Sequence, residues 1–259
     1  MTFSREGLIG KLGRLGVANN ETTVEGELMR RFGTYVFAGL LALAPVHTAQ
    51  ADVVVELYTS QGCSSCPPAD ALLAELAERD DVIALSLHVD YWDYLGWQDA
   101  FANPAFTERQ RGYAARSGSA MIYTPQMVIA GQDQIVGTKA MKLSELIAKH
   151  SANAAPLALS IERADGKLRI GADSAARPSG TMTIYLVHYS PNQTVTIKRG
   201  ENAGRELTYH NVVTHWGLLE TWDGAAPLSL EAELNSEDPG VVIVQDGAVG
   251  PILAAQKID

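Results

Sequence analysis

The two cysteines of this chain lie three residues apart, within the segment 62–68 that reads Gly-Cys-Ser-Ser-Cys-Pro-Pro. The β-branched and apolar residues 52–58 before them predict a buried strand, and apolar residues at helical spacing from 67 to 79 predict a helix. Both prolines fall in the first turn of that helix, where a missing N–H costs nothing. Side chains at positions i and i+3 of a helical turn are about 5–6 Å apart, so a small adjustment brings the sulfurs of Cys63 and Cys66 into bonding range.

The elements after this motif alternate regularly. The sequence predicts a strand, a helix, a hairpin of two short strands and a last helix, at residues 82–89, 104–116, 126–130 with 134–136, and 141–150. The resulting order βαβαββα over residues 52–153 is that of a thioredoxin fold, an α/β domain built around a central mixed sheet. We therefore predict a thioredoxin-like domain for this part of the chain.

The second half of the chain changes to a period of two residues. Residues 181–189 alternate cleanly, and Asp165-Gly166 and Asp246-Gly247 each lie between strand-like runs, which is a strong hairpin signal. We predict a second, smaller all-β domain, similar to a sandwich, over residues 156–259.

The first 51 residues contain an export signal. Met29-Arg30-Arg31 precedes an apolar run, 32–45, and Ala49-Gln50-Ala51 matches a cleavage site, so residues 29–51 predict a signal peptide cut after Ala51. The alternative, a membrane anchor, needs about 20 apolar residues, and this run is shorter. Residues 1–28 form an N-terminal extension with no core pattern, and Met29 is an alternative start. We expect a periplasmic or secreted protein with no stable membrane span after cleavage.

Composition excludes several classes of function. The formal net charge is −10, and no basic stripe with interleaved aromatic residues offsets it, so we predict no binding to nucleic acid. No nucleotide-binding or serine-hydrolase motif is present, and we predict no cofactor. His210 and His215 have a spacing that could suit zinc, but 143 residues separate Cys66 from His210, so no local zinc site is supported and we predict no bound metal. The oligomeric state stays open.

The position of the cysteine pair predicts redox chemistry. Cys63 is expected at the helix N-terminus, where the helix dipole stabilises a thiolate, so it would be the nucleophile and Cys66 the resolving thiol. Two alternatives remain: a permanent structural disulfide in a non-catalytic binding module, and a thiol pair that handles Cu(I). A bridge that closes so short a loop restricts the unfolded chain little, which disfavours the structural role.

Four segments carry a family resemblance: 54–70 around the cysteines, His88 to Trp97, Tyr123-Thr-Pro-Gln126 and 198–205. With them the chain resembles the secreted bacterial family called domain of unknown function 1223, within the thioredoxin-like superfamily. The resemblance covers the whole mature part and implies export and two domains, but no proven activity. Unlike ordinary thioredoxins, the chain has Gly62 rather than Trp before the first cysteine, and Pro67 directly after the second.

Resemblance to thioredoxins also implies roles for single residues. Pro125 would be a cis-proline packed against the disulfide. Glu56, on the first strand, would accept the proton of the resolving thiol, although its spacing of seven residues from Cys63 is one longer than the usual pattern; the alternative is a structural carboxylate.

The aromatic loop 88–97 follows the second strand and is the last candidate region. Tyr91 and Trp92, together with Thr124, are predicted to line a substrate groove; the alternative is a small core under the loop. His88 is expected to be structural. The resulting hypothesis is a thiol–disulfide oxidoreductase whose substrates are protein or small-molecule disulfides or thiols.

Overall fold

The computed structural model describes residues 52–153, 155–174, 180–234 and 236–258. The predicted N-terminal extension and signal peptide lie outside these residues. The elements are, in chain order, β1 (Val53–Thr59), α1 (Pro67–Ala77), β2 (Val82–His88), α2 (Pro104–Arg116), β3 (Gln126–Ile129), β4 (Asp133–Val136), α3 (Ala140–Ser151), β5 (Leu157–Ala164), β6 (Lys167–Ser174), β7 (Met182–Thr196), β8 (Glu206–Trp222), β9 (Leu228–Glu233), β10 (Gly240–Asp246) and β11 (Ile252–Ile258).

The first seven elements follow the predicted order βαβαββα, and the mixed α/β class is confirmed. Strand β1 is parallel to β2 and antiparallel to β3, which pairs with β4 in an antiparallel hairpin. Helix α2 begins and ends where the sequence predicts. The side chain of Asn103 accepts a hydrogen bond from the backbone N–H of Ala105, and Pro104 occupies the first helical turn, so the start of α2 is encoded locally.

The second half of the chain joins the same sheet. Strand β8 pairs in parallel with β2, with Val212 opposite Ser86, and the eight strands of the large sheet have the order β11-β10-β7-β8-β2-β1-β3-β4. Only β5, β6 and β9 form a separate, three-stranded antiparallel sheet. The sequence predicts a second, smaller all-β domain over 156–259, whereas the strands of that segment are divided between the large mixed sheet and this small one. The physical reason is that β7 buries both of its faces, as a central strand does: Ile184 packs on one side and Val187 on the other.

Three apolar clusters hold the layers together. One packs α1 and α3 on one face of the large sheet, a second packs α2 on the opposite face, and a third fills the space between the large and small sheets. The C-terminal end of β1 and the N-terminal end of α1 meet above the first of these clusters. The cysteine motif lies at that junction.

The two predicted hairpins have different outcomes. Asp165 and Gly166 adopt φ angles of 54° and 75° and join β5 to β6 with Ala164 opposite Lys167, as predicted. The connection after Asp246 is longer, since residues 247–251 separate β10 from β11. Pro251 lies directly before β11, and its carbonyl accepts a hydrogen bond from the backbone N–H of Asp246, which closes this connection. Within the described part of the chain, no helix is both long and apolar enough to cross a bilayer.

Candidate functional site

Cys63 and Cys66 form a disulfide, with 5.4 Å between their Cα atoms. Cys66 is the N-cap residue of α1, and Pro67 and Pro68 follow it in the first turn. The structure therefore places Cys66 at the helix N-terminus, with Cys63 one turn earlier, whereas the sequence analysis placed Cys63 there. Cys63 is 3% exposed and Cys66 is fully buried. Of the two cysteines, Cys63 is therefore the slightly more exposed.

The backbone before Cys63 is held by buried polar groups that the sequence analysis missed. Asp99 accepts at one carboxylate oxygen both the backbone N–H of Gln61 and a bond from Nδ1 of His88, each at 2.7 Å. The backbone N–H of Cys63 donates to the carbonyl of Ser60. His88 thus has a structural role, because its hydrogen-bonded pair with Asp99 fixes the turn that leads to the cysteines. Asp99 lies 36 residues along the chain from Cys63, and no local pattern links the two.

The predicted groove residues meet beside the cysteines. Nε1 of Trp92 donates to Oγ1 of Thr124 at 2.7 Å, and the Thr124–Pro125 peptide bond is cis. A Cβ atom on Gly62 would lie 3.1 Å from Cβ of Trp92, so the indole-bearing residue packs directly on the residue before Cys63. The structure therefore brings Trp92, Thr124 and the cysteine loop together.

Tyr91 interacts with the side chain of Thr124 and also with α2. Its hydroxyl donates to Oε1 of Gln110 at 3.2 Å, and Nε2 of Gln110 donates to the carbonyl of Tyr123 at 2.8 Å. Burial raises the pKa of Tyr91 to about 12. Tyr91 therefore anchors the aromatic loop to α2, and its hydroxyl stays protonated at neutral pH.

Glu56 is not brought to the cysteines. It is fully buried on the face of β1 that packs against α2, and both of its oxygens are used by Arg109 through bonds from Nε and Nη2 of 2.7 and 3.0 Å. The hydroxyls of Tyr58 and Tyr113 also donate to it. Neighbouring strand residues point to opposite faces, so the extra residue of spacing turns Glu56 away from α1, which carries Cys66. The structural alternative for Glu56 describes this arrangement.

Asp70 is a buried acid on the cysteine side that the sequence analysis missed. It lies one turn after Cys66 on α1, and its Oδ1 accepts a 2.7 Å bond from Oγ1 of Thr59. No partner of its Oδ2 is found among the described residues. Burial raises its pKa to about 7, although the bond from Thr59 and the charge of His88 act in the opposite direction. The only available signal was its inward position on the helix, beside Ala69 and Leu73.

The loop between β7 and β8 reaches back to the cysteine motif. Nδ2 of Asn202 donates to the carbonyls of Gln61 and Cys63, at 2.9 Å each, and Ser64 donates to Glu201 at 2.6 Å. The sequence of this stretch predicts no more than a hairpin or loop. Within the described ranges, no three His, Cys, Asp or Glu side chains are grouped so as to hold a metal ion.

Two solved structures are similar to this chain. One is the crystal structure of a protein from Agrobacterium tumefaciens, with 29% identity, a TM-score of 0.69, and coverage of 80% of this chain and 94% of that one. The other is HBP35 of Porphyromonas gingivalis, with 14% identity, a TM-score of 0.55, and coverage of 81% of this chain and 75% of that one, a likeness that concerns the fold alone. No curated protein matches the chain.

The family assignment rests on most of the described chain. The matching segment runs from residue 54 to residue 245, and so includes the cysteine motif, the aromatic loop, the cis-proline loop and the β7–β8 loop. Over these residues the chain belongs to the family described as "Protein of unknown function (DUF1223)".

Proposed function

We propose that this protein is an exported, thioredoxin-like thiol–disulfide oxidoreductase that acts through Cys63 and Cys66 on protein or small-molecule disulfides or thiols. The observation that carries the proposal is the position of the disulfide. It lies at the N-terminus of α1, and Trp92 connects the residue before Cys63 to Thr124 and the cis-proline loop. A disulfide at a helix N-terminus is the arrangement that thiol exchange uses, and the residues around Trp92 and Thr124 are the candidate contact surface for the substrate.

The fold supports the thioredoxin-like part of the proposal. Strands β1 to β4 have the order β2-β1-β3-β4, with β3 and β4 antiparallel to one another and helices on both faces. Export is supported by the predicted signal peptide and by the pairing of both cysteines, because disulfides persist mainly in oxidising compartments.

Exposure and helix position give the two cysteines different roles. An incoming thiolate attacks Sγ of Cys63, the more exposed of the two residues; the new mixed disulfide forms there as the S–S bond breaks, and the electron pair passes to Sγ of Cys66. Cys66 caps α1, where the helix dipole stabilises a thiolate; Pro67 and Pro68 supply no N–H there, so the stabilisation comes from the dipole alone. In the reverse direction, Cys63 attacks the substrate disulfide and Cys66 then resolves the mixed disulfide. Pro125 and Thr124 shape the groove for the substrate.

The test is the reduction potential of the pair, measured by equilibration with glutathione followed by alkylation of free thiols. A value between about −120 and −270 mV, the range of working oxidoreductases, is expected. A potential below about −300 mV, typical of structural bridges, contradicts the proposal. Cys66→Ser is expected to accumulate a mixed disulfide with a peptide substrate, and Cys63→Ser is the matched variant that does not.

The burial of both sulfurs favours a second candidate, a non-catalytic binding module with a structural disulfide. In that case the potential is low, neither variant forms a mixed disulfide, and removal of the bridge changes only stability. The two candidates therefore give opposite results in the same pair of measurements.

A further inference from the structure

The β7–β8 loop, residues 197–205, is internally bonded. The backbone N–H of Ile197 donates to the carbonyl of Arg205 at 2.9 Å, and the N–H of Gly204 donates back to the carbonyl of Ile197 at 2.8 Å. Gly200 and Gly204 adopt φ angles of 77° and 82°, which favour glycine. The loop thus presents Asn202 in one defined position.

Asn202 joins this loop to the cysteine loop. It is 1% exposed, and its Nδ2 donates to the two carbonyls on either side of Gly62, those of Gln61 and Cys63, at 2.9 Å each. Its Oδ1 accepts from Nη1 of Arg205 at 2.9 Å. Both amide hydrogens and the amide oxygen are therefore used, and only an amide side chain of this length satisfies all three contacts.

Two further contacts strengthen the connection. On the solvent side, Ser64 donates to Glu201 at 2.6 Å. On the other side, Nε1 of Trp97 donates to Oε1 of Gln61 at 2.8 Å, and a Cβ atom on Gly200 would lie 3.4 Å from Cβ of Trp97. The cysteine loop is thus held between the aromatic loop and the β7–β8 loop.

From these contacts we infer that the β7–β8 loop gates access to the disulfide, and that Asn202 is the positioning residue that keeps the gate closed. The inference rests on the proposed function, whose regulation it describes. Exchange requires a thiolate to reach Sγ of Cys63 in line with the S–S bond, forming one S–S bond as the other breaks and leaving the electron pair on Cys66. Because Cys63 is 3% exposed, we expect its loop to shift before attack, and the bonds from Asn202 to the carbonyls of Gln61 and Cys63 oppose that shift.

The experiment measures how fast excess dithiothreitol reduces the disulfide of the folded full-length mature protein, with alkylation and mass spectrometry as the readout. We expect Asn202→Ala to be reduced at least ten-fold faster than the wild type. Lys198→Ala is the matched control, because Lys198 is exposed in the same loop, and its rate is expected to stay within two-fold of the wild type. A rate for Asn202→Ala within two-fold of that control overturns the inference.

Loss of stability is separated from gating by measuring the unfolding equilibrium of each disulfide-bonded variant. If the rate rises only by the factor by which the unfolding constant rises, reduction proceeds through the unfolded state and the gate is overturned.

Arg205→Ala leaves the buried amide in place but removes its orienting bond. We expect it to be reduced about three-fold faster, and this variant decides the question if Asn202→Ala does not fold.

Reduction by dithiothreitol needs no biological substrate. The experiment can therefore reject the gate without rejecting the oxidoreductase activity, or the activity without the gate. A reduction potential between about −120 and −270 mV, together with rates of reduction in both variants equal to that of the wild type, rejects the gate alone. A potential below about −300 mV with a faster rate in the variants rejects the oxidoreductase activity and keeps the shielding of the disulfide.

Discussion

Trp92 donates its indole N–H to the hydroxyl of Thr124 at 2.7 Å, across the 32 residues that separate them. This bond joins the aromatic loop to the residue that precedes Pro125. Cβ of Trp92 also lies against Gly62, so one side chain connects the cis-proline loop to the cysteine loop. The two sides of the proposed groove are therefore coupled.

A double-mutant cycle measures this coupling. Trp92→Phe and Thr124→Val each remove one partner of the bond, and each is expected to lower the free energy of unfolding by about 1 kcal/mol and to slow exchange with a peptide disulfide. The double variant should lose less than the sum, with a coupling of about 0.5–1 kcal/mol, as determined by chemical unfolding. Trp92→Phe combined with Thr194→Val, at an exposed bond to Thr208, should be additive. Additivity in the first pair would show that the two loops are independent.

The ion pair of Glu56 and Arg109 is expected to be important for stability and not for redox chemistry. Glu56→Gln leaves the buried guanidinium without its counter-charge, so the free energy of unfolding should fall by about 3–5 kcal/mol. Glu145→Gln, in the exposed pair with Lys142, should cause no measurable change in denaturant unfolding. The reduction potential of the cysteine pair should be the same in wild type and in Glu56→Gln. A shift of that potential would show that Glu56 influences the redox chemistry.

The raised pKa of Asp70 implies that the free energy of unfolding depends on pH. Its pKa in the folded protein is raised to about 7 by burial, whereas in the unfolded chain it is near 4. The folded state therefore binds the extra proton between these values, and the free energy of unfolding contributed by this group falls as pH rises from about 4 to 7. The full loss is about 4 kcal/mol for a shift of this size.

The comparison of wild type with Asp70→Asn isolates this effect, because other groups titrate equally in both proteins. We expect the difference in unfolding free energy to change in favour of the variant as pH rises, and to become constant above about pH 8. The charges that act on Asp70 are those of His88, Asp99 and Arg205. A difference that does not change with pH would mean that Asp70 is ionised in the folded protein across the whole range.

Gly137 provides the space that Pro125 occupies. A Cβ atom at this position would lie 3.0 Å from Cβ of Ala69 and 3.1 Å from Cβ of Pro125. Gly137→Ala should therefore displace the cis-proline loop, lower the free energy of unfolding by about 1–3 kcal/mol and slow exchange. Gly180→Ala has its nearest atom at 3.4 Å, on Asp246, and should leave both thermal unfolding and exchange unchanged. Equal behaviour of the two variants would show that the proline loop adapts freely.

The elements that the sequence predicts well are those defined by local signals. Asn103 and Pro104 mark the start of α2, and Asp165-Gly166 marks a tight turn. The pairing of β8 with β2 has no local signal, because Ser86 and Val212 are far apart in the chain. The sequence of β7 shows a two-residue alternation of side chains, but it does not show that other elements cover both faces of this strand.

The candidate site divides in the same way. The cysteine pair and Pro125 follow from motifs, whereas Asn202 donates to Cys63 across 139 residues and Asp99 reaches Gln61 across 38. Such contacts form only in the folded chain, and no single segment of the sequence indicates them. Glu56 was misplaced for a different reason: a one-residue change in spacing along a strand reverses the face of the side chain.

The parallel pairing of β2 with β8 has a consequence for how the chain acquires its structure. Every residue of β2 is buried, yet one edge of this strand is paired only with β8, where Val212 lies opposite Ser86, and β8 is synthesised more than a hundred residues later. Until then, a nascent chain that already contains both cysteines presents an unpaired, apolar strand edge, the kind of surface that recruits other strands. A fragment ending at residue 153 would keep that edge permanently. The N-terminal segment should therefore aggregate when expressed alone, and it would be a poor starting point for a minimal version of the protein.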